Sequence, residues 1–281
     1  MSYYAFSIVR DGAKTIEATL DSLVHQTAPP RKIIVVNDGS TDNTANIIDR
    51  YKSLCPDIIE VISTSSKTRD YTRLPSLRNL ALRYAREHGF DDCDYHMGAG
   101  GDCRYEPAYA EKILKFMTEN PEVAVASGDY GSMSAKSPQG AGRFVRQSFF
   151  KKYYKLYPEK VGWEDEILAR TLCSGYRTAV LKDATFEHLD ELGHSHKFAD
   201  WGKQMKALGY SRLHVFGRCA KTFFSNNELG KQGSLQMLWS YLTYRPQKNG
   251  YYSLYEPELR KAVAKMQRDE ILRMLKRRLR L

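Results

Sequence analysis

KIIVVNDGSTDNT, Lys32 to Thr44, is the stretch that decides the fold. Lys32 to Asn37 is a continuous, largely β-branched run, the pattern of a strand buried on both faces of a parallel sheet. The run ends at Asn37-Asp38, turns at Gly39, and leads into Ser40 and Asp42, either of which can cap the helix that follows. Asp38 comes before the cap, just outside the carboxyl end of the strand, where open α/β sheets bind ligands. A carboxylate at that place can accept hydrogen bonds from a base N–H or a ribose hydroxyl.

Strand and helix patterns alternate on both sides of this stretch. Strands are expected at Tyr4 to Val9, Ile58 to Ser63, Tyr95 to Ala99 and Val123 to Ser127. Helices are expected at Thr15 to Gln26, Asn43 to Leu54, Leu74 to His88, and from Pro107 to about Glu119. This alternation predicts an α/β domain with a mostly parallel sheet. Gly128 to Arg146, rich in Gly, Ser and Lys, reads as a loop. Helical patterns follow at Ser148 to Leu156, Asp165 to Ser174 and Phe198 to Leu208, and Gly175 and Gly209 stop the last two. Asn226 to Gly233 is a polar break, with helices expected at Leu235 to Tyr244 and from Glu258 onward.

Composition narrows the function. With 42% apolar and 27% charged residues, the chain can build a core and is ordinary for a globular protein. No stretch approaches the ~20 apolar residues of a membrane-spanning helix, and MSYYAFSIVRDG lacks the basic start and apolar run of a secretory signal. These features point to the cytoplasm. The five cysteines form no C-x-x-C pair and read as reduced, mostly buried thiols. The net charge of +10 is concentrated at the end: nine basic against two acidic residues from Leu259 to Leu281 carry +7 of it. Leu259, Val263, Met266, Leu272, Leu275 and Leu279 recur near helical spacing among those bases. The pattern suits two arrangements equally. One is an interfacial helix on anionic lipid at the inner face of the membrane, and the other is a helix packed on the body with a solvated basic face. Nucleic acid is disfavoured, because the body carries little excess charge and no recognised binding motif.

SIVRDGAKTIEATLDSLVHQTAPPRKIIVVNDGSTDNT, Ser7 to Thr44, resembles the opening of family-2 glycosyltransferases. The resemblance implies a GT-A fold, an inverting reaction, and a nucleotide-diphosphate sugar as donor, UDP- or GDP-linked. It runs from about Tyr4 to Arg177 and implies a catalytic domain over 1–222. A nucleotide-binding half would cover about 1–100 and an acceptor half 101–222, with a helical C-terminal extension over 223–281. In this family the aspartate matching Asp38 contacts the base, and Val9 to Asp11 line the nucleotide pocket, although Arg10-Asp11 stands where Tyr-Asn is usual. LRNLAL, Leu77 to Leu82, resembles a family helix whose arginine, here Arg78, projects toward the pyrophosphate; a solvated helix arginine is the plainer reading.

The metal motif departs from the family. The usual Asp-x-Asp, which holds Mg²⁺ or Mn²⁺ against the diphosphate, aligns with Gly100-Gly101-Asp102, so one acid survives. The glycine pair would permit close backbone approach to the donor. Asp92-Cys93-Asp94 has the letters but lies before the strand, at the wrong end of the sheet. His188 is a candidate to replace the lost carboxylate, although a loop histidine making ordinary hydrogen bonds is the favoured reading; a zinc site from His188, His194 and His196 fits no helix-borne spacing. GWEDEILARTLCSGYR, Gly162 to Arg177, resembles the acceptor-side helix of the family, which implies Asp165 as general base with Glu164 second. Acids at a helix N-terminus are also favoured by the macrodipole alone. Trp163 is positioned to stack on sugar or acceptor. The expected acceptor is a glycan or a lipid-linked glycan. The altered metal motif keeps a second reading open, a catalytically impaired GT-A domain that binds a nucleotide sugar or glycan as a partner protein.

Overall fold

The computed structural model describes residues 1–66, 68, 70–130, 137–190, 198–224 and 230–279, with the backbone alone at 275 and 277–279. The chain divides into two compact units, Met1–Tyr157 with Tyr176–Glu191, and Pro158–Gly175 with Leu192–Leu281.

The first unit is built on eight strands: β1 (Tyr3–Val9), β2 (Ile33–Asp38), β3 (Ile59–Thr64), β4 (Tyr95–Gly100), β5 (Cys103–Tyr105), β6 (Val123–Asp129), β7 (Arg143–Arg146) and β8 (Arg177–His188). Their spatial order is β3-β2-β1-β4-β7-β6-β8-β5. The first four are mutually parallel, as the alternating pattern predicts. Beyond them the sheet is mixed: β7 runs antiparallel to β4 and β6, β6 is parallel to β8, and β5 is antiparallel to β8. All six residues of β2 are buried, which explains its unbroken apolar run. Helices α1 (Ile16–Val24), α2 (Thr44–Leu54), α3 (Leu74–Glu87), α4 (Tyr109–Glu119) and α5 (Gln147–Tyr153) belong to this unit. On α1, Ile16, Leu20 and Leu23 recur at helical spacing and are buried with Ile33, Val35 and Tyr109 in one core cluster. Each such side chain contributes about 1.5–3 kcal/mol.

The parallel register aligns the strand ends. Ile8 lies beside Gly100 and Val9 beside Asn37. Asp38, the residues after Val9, and the Gly100-Gly101-Asp102 turn therefore share the carboxyl edge of the sheet. Asp92 and Asp94 precede β4 and lie at its other end.

The second unit is helical: α6 (Trp163–Cys173), α7 (Phe198–Ala207), α8 (Arg212–Phe223), α9 (Gly230–Thr243) and α10 (Pro257–Leu279). On α10, Leu259 and Val263 are buried in a cluster with Val161, Ala169 and Leu208. The proximal half of the basic tail is thus a packed helix, and Leu272 and Met274 farther along are exposed.

Several expectations need correction. Gly128 to Arg146 is not one loop. Gly128 and Asp129 still belong to β6, Arg143–Arg146 is β7, and 131–136 lie outside the described residues. β5, β8 and α8 are further elements that the sequence pattern does not announce. The polar break from Asn226 is helical from Gly230, and 225–229 lie outside the described residues.

Candidate functional site

Asp38 is the last residue of β2 and only 4% exposed, so it belongs to the buried run instead of lying beyond it. Its carboxylate is already engaged. Thr64 Oγ1 donates to Oδ1 at 2.7 Å, Arg73 Nη1 stands 3.1 Å from the same oxygen, and Arg10 Nη1 stands 3.9 Å from Oδ2. Arg10 also donates to the carbonyls of Asp38 (2.8 Å) and Ser66 (3.2 Å). Arg73 closes a single 3-10 turn, Tyr71–Arg73, that precedes α3. Arg10 and Arg73 are functional candidates that motif reading misses. The one signal in the sequence, the departure at Arg10-Asp11, bears on Arg10 alone, and Arg73 has none.

Asp11 adopts a left-handed backbone (φ 49°) and spends its carboxylate on the turn after β2. Thr41 donates to it through its backbone N–H (2.8 Å) and hydroxyl (3.2 Å), and the backbone bond leads in holding the carboxyl below its usual range. Val9 is buried at the strand end. The cap position of α2 is Asn43, whose side chain makes no cap bond; Asp42, one residue earlier, accepts from the Thr44 N–H at 3.0 Å.

Packing accounts for the two glycines of the altered metal motif. A Cβ at Gly100 would lie 2.6 Å from Cys103 Sγ and 2.9 Å from Asp102 Oδ1, and a Cβ at Gly101 would lie 3.0 Å from the Ile8 carbonyl. The space of the missing acid is therefore filled by the Cys103 side chain, and the close approach is made by the protein itself. β5 pairs with β8 so that Cys103 faces His188. This pairing brings Asp102 and His188 together: Nδ1 is 3.8 Å from Asp102 Oδ2, and Cys103 Sγ is 3.4 Å from Nδ1 and 3.5 Å from Asp102 Oδ1. The His188 imidazole holds the Asp102 carboxyl below its usual range, while burial and the Asp102 charge push the Cys103 thiol up. Among the described residues these three form a group with metal-ligating chemistry. One donor atom from each of the three lies within 4.8 Å of the others, close enough for a single divalent cation to draw them together. Bound metal would also reverse the preference of the thiol for its proton. His194 and His196 lie outside the described residues.

Arg78 is not a solvated helix arginine; it is 8% exposed. Its guanidinium lies 5.7 Å from the Phe6 ring centre and crosses β4 at Gly98, where a Cβ would come within 2.9 Å of Nη1.

In the second unit, α6 begins at Gly162, whose φ of +81° suits glycine and whose Cβ would fall 2.6 Å from Gln204 Cβ on α7. This approach lets Gln204 Nε2 donate to Asp165 Oδ2 at 2.7 Å. Glu164 and Asp165 are half-buried in the first turn, where the helix dipole favours acids. Glu166 is fully buried and paired with Arg170 at 2.6 Å. Trp163 is 4% exposed and is a packing residue in this arrangement. Gln204, which orients Asp165, has no motif to reveal it.

A family model described as Glycosyl transferase family 2 matches residues 7–184. No protein of curated function matches the chain. Among solved structures, the S. aureus TarS 1-349 structure is 17% identical with a TM-score of 0.56, over 86% of this chain and 71% of that one. The chain covers 43% of the longer TarS structure. The mannosyltransferase PcManGT from Pyrobaculum calidifontis, in complex with GDP-Man and Mn²⁺, is 16% identical with a TM-score of 0.57, over 86% of this chain and 72% of that one. At these identities the likeness establishes the fold, the GT-A arrangement of a central sheet flanked by helices.

Proposed function

The chain belongs to glycosyl transferase family 2, and we propose that it is an active, metal-assisted, inverting enzyme that moves a sugar from a UDP- or GDP-linked donor to a glycan or lipid-linked glycan. The observation that carries this reading is the shared carboxyl edge of β1, β2 and β4, which gathers Asp38, Arg10 and Asp102 where α/β sheets bind ligands. The TarS 1-349 and PcManGT structures hold UDP-GlcNAc and GDP-Man, donors of the proposed class.

Asp38 would accept from the base, with Val9 and the Arg10-Asp11 turn lining the nucleotide pocket. Asp102 and His188, with the Cys103 thiol beside them, would hold the divalent cation. A carboxylate, an imidazole and a sulfur suit Mn²⁺ better than Mg²⁺. When bound, the cation supplies positive charge beside the leaving diphosphate. Arg78 adds a permanent cation on the same unit. Asp165, oriented by Gln204, would take the proton of the acceptor hydroxyl as its oxygen attacks the anomeric carbon. The bond to the diphosphate breaks, and the configuration inverts. The distal basic segment of α10 would face an anionic membrane surface.

The test is Asp165→Asn. Asn keeps an oxygen for Gln204 and is a good residue at a helix start, so fold and donor affinity should persist while turnover falls by about 10²–10⁴. Normal turnover in a folded variant would leave Asp165 structural. Glu164→Gln would then be the next substitution to measure.

A further inference from the structure

Helices after the family-matched segment carry large apolar side chains that face water. On α8, Val215 and Cys219 are buried. The opposite face carries Leu213, Phe216, Gly217, Ala220 and, just past the helix end, Phe224. Their spacing of i, i+3, i+4, i+7 and i+11 is one stripe of a 3.6-residue helix. α9 repeats the arrangement, with Met237 and Tyr241 inward and Leu235, Trp239 and Leu242 on the other side. The six large side chains of these outer stripes are between 47 and 82% exposed. A helix on a globular core needs one apolar stripe, and each of these has two.

The charge on the two helices themselves has one sign, although Glu270 of α10 lies near His214. Neither helix contains an acid, and Arg212, Arg218, Lys221 and Lys231 are their cations. Ser211 N–H donates to Gln267 Oε1 at 2.8 Å and ties the start of α8 to α10. A surface groove there is lined by Ser211, Arg212, Leu213, Lys261, Ala264 and Arg268, three cations beside apolar side chains. Farther along α10, exposed Leu272 and Met274 sit among Arg273 and Lys276, just after the exposed acids Asp269 and Glu270.

We propose that the outer stripes of α8 and α9 dock this protein on an anionic lipid bilayer. Phe216, Phe224, Trp239 and the leucines enter the interface, and the Arg212–Lys261–Arg268 groove takes phosphate headgroups. Apolar stripes on helices whose own charged residues are all cations match the two components of such a surface, acyl chain and anionic phosphate. The proposal goes beyond the transferase reading and does not depend on it, because these helices lie after residue 184.

The test uses the full chain with vesicles of phosphatidylcholine, with and without phosphatidylglycerol. Co-sedimentation should occur with the anionic vesicles and weaken with salt. Trp239 emission should shift to the blue on binding, and Trp239→Phe should remove that shift. Phe216→Ser with Phe224→Ser, or Leu235→Ser with Trp239→Ser, should each lower partition by about tenfold or more while UDP or GDP affinity stays unchanged. Arg212→Gln with Arg268→Gln should reduce the preference for anionic lipid. Two results overturn the proposal: no binding of the native protein to anionic vesicles, or a dimer in solution that the same serine substitutions dissociate, which would make the stripes a protein interface.

Discussion

Replacing Asp38 by Asn separates two roles that the structure superimposes on one carboxylate. The side chain is nearly inaccessible and faces Arg10 and Arg73, with Thr64 as a third partner. Asn keeps an acceptor for Thr64 and removes the charge between two guanidinium groups. Breaking a fully buried pair costs about 3–5 kcal/mol. Arg73 is one-third exposed and Arg10 keeps two carbonyl partners, so the cost in stability should fall to about 1.5–3 kcal/mol. If Asp38 also receives the nucleotide base, losing that charge-assisted bond should cost ~1.5–3 kcal/mol of affinity, about 10–150-fold in Kd. Urea unfolding measures the first loss, and calorimetry with UDP and GDP, below the unfolding transition, measures the second. A destabilised protein with unchanged affinity for the nucleotide that binds would refute the pocket and leave Asp38 as an ion-pair anchor.

Three further outcomes are expected. EDTA should abolish turnover and Mn²⁺ should restore it better than Mg²⁺; Co²⁺ added to the metal-free protein should give a thiolate charge-transfer band that Cys103→Ser removes, and full activity in EDTA would end the metal role. Gly162→Ala forces a left-handed alanine against Gln204, so it should cost about 2–4 kcal/mol in denaturant unfolding and lower turnover by displacing Gln204 from Asp165. Burial lowers the His96 pKa to about 3, so the ring stays neutral in the fold while the unfolded chain takes up a proton below about pH 6.5. Stability should therefore be lost as pH falls from about 6.5 toward 3, by roughly 3 kcal/mol at pH 4, and a folded His96→Gln variant with the same pH slope would show that this group is not the cause.

What was legible in the sequence follows from the range of the interactions. β1, β2, α1 and α3 carry strong local periodicity, and their patterns mark them within a residue or two. β7 has only four residues and begins and ends in arginine; β8 alternates burial irregularly along twelve. Both are strands because distant partners complete them. α8 is obscured because its two apolar stripes blur the helical pattern. The same distinction holds at the site. Asp38, Asp102 and His188 could be nominated singly from motif and residue type. The ion pairs of Arg10 and Arg73 with Asp38 depend on strand ends and one short turn. The meeting of Cys103 with His188 depends on the β5–β8 register, across 85 residues. Gly100-Gly101, which reads as a weakened metal motif, acquires a physical reason only once the position of Cys103 is known.

The central claim, nucleotide-sugar transfer, is tested most directly by incubating the full chain and Mn²⁺ with a panel of UDP- and GDP-linked sugars and measuring released nucleoside diphosphate. Slow transfer to water is enough to register without a known acceptor. The account predicts that at least one donor is consumed, with one nucleoside diphosphate released per sugar, and that Asp165→Asn suppresses the release. Tight binding of UDP or GDP with no donor consumed at any metal concentration would contradict it, and would identify the chain as a binding protein on a transferase fold.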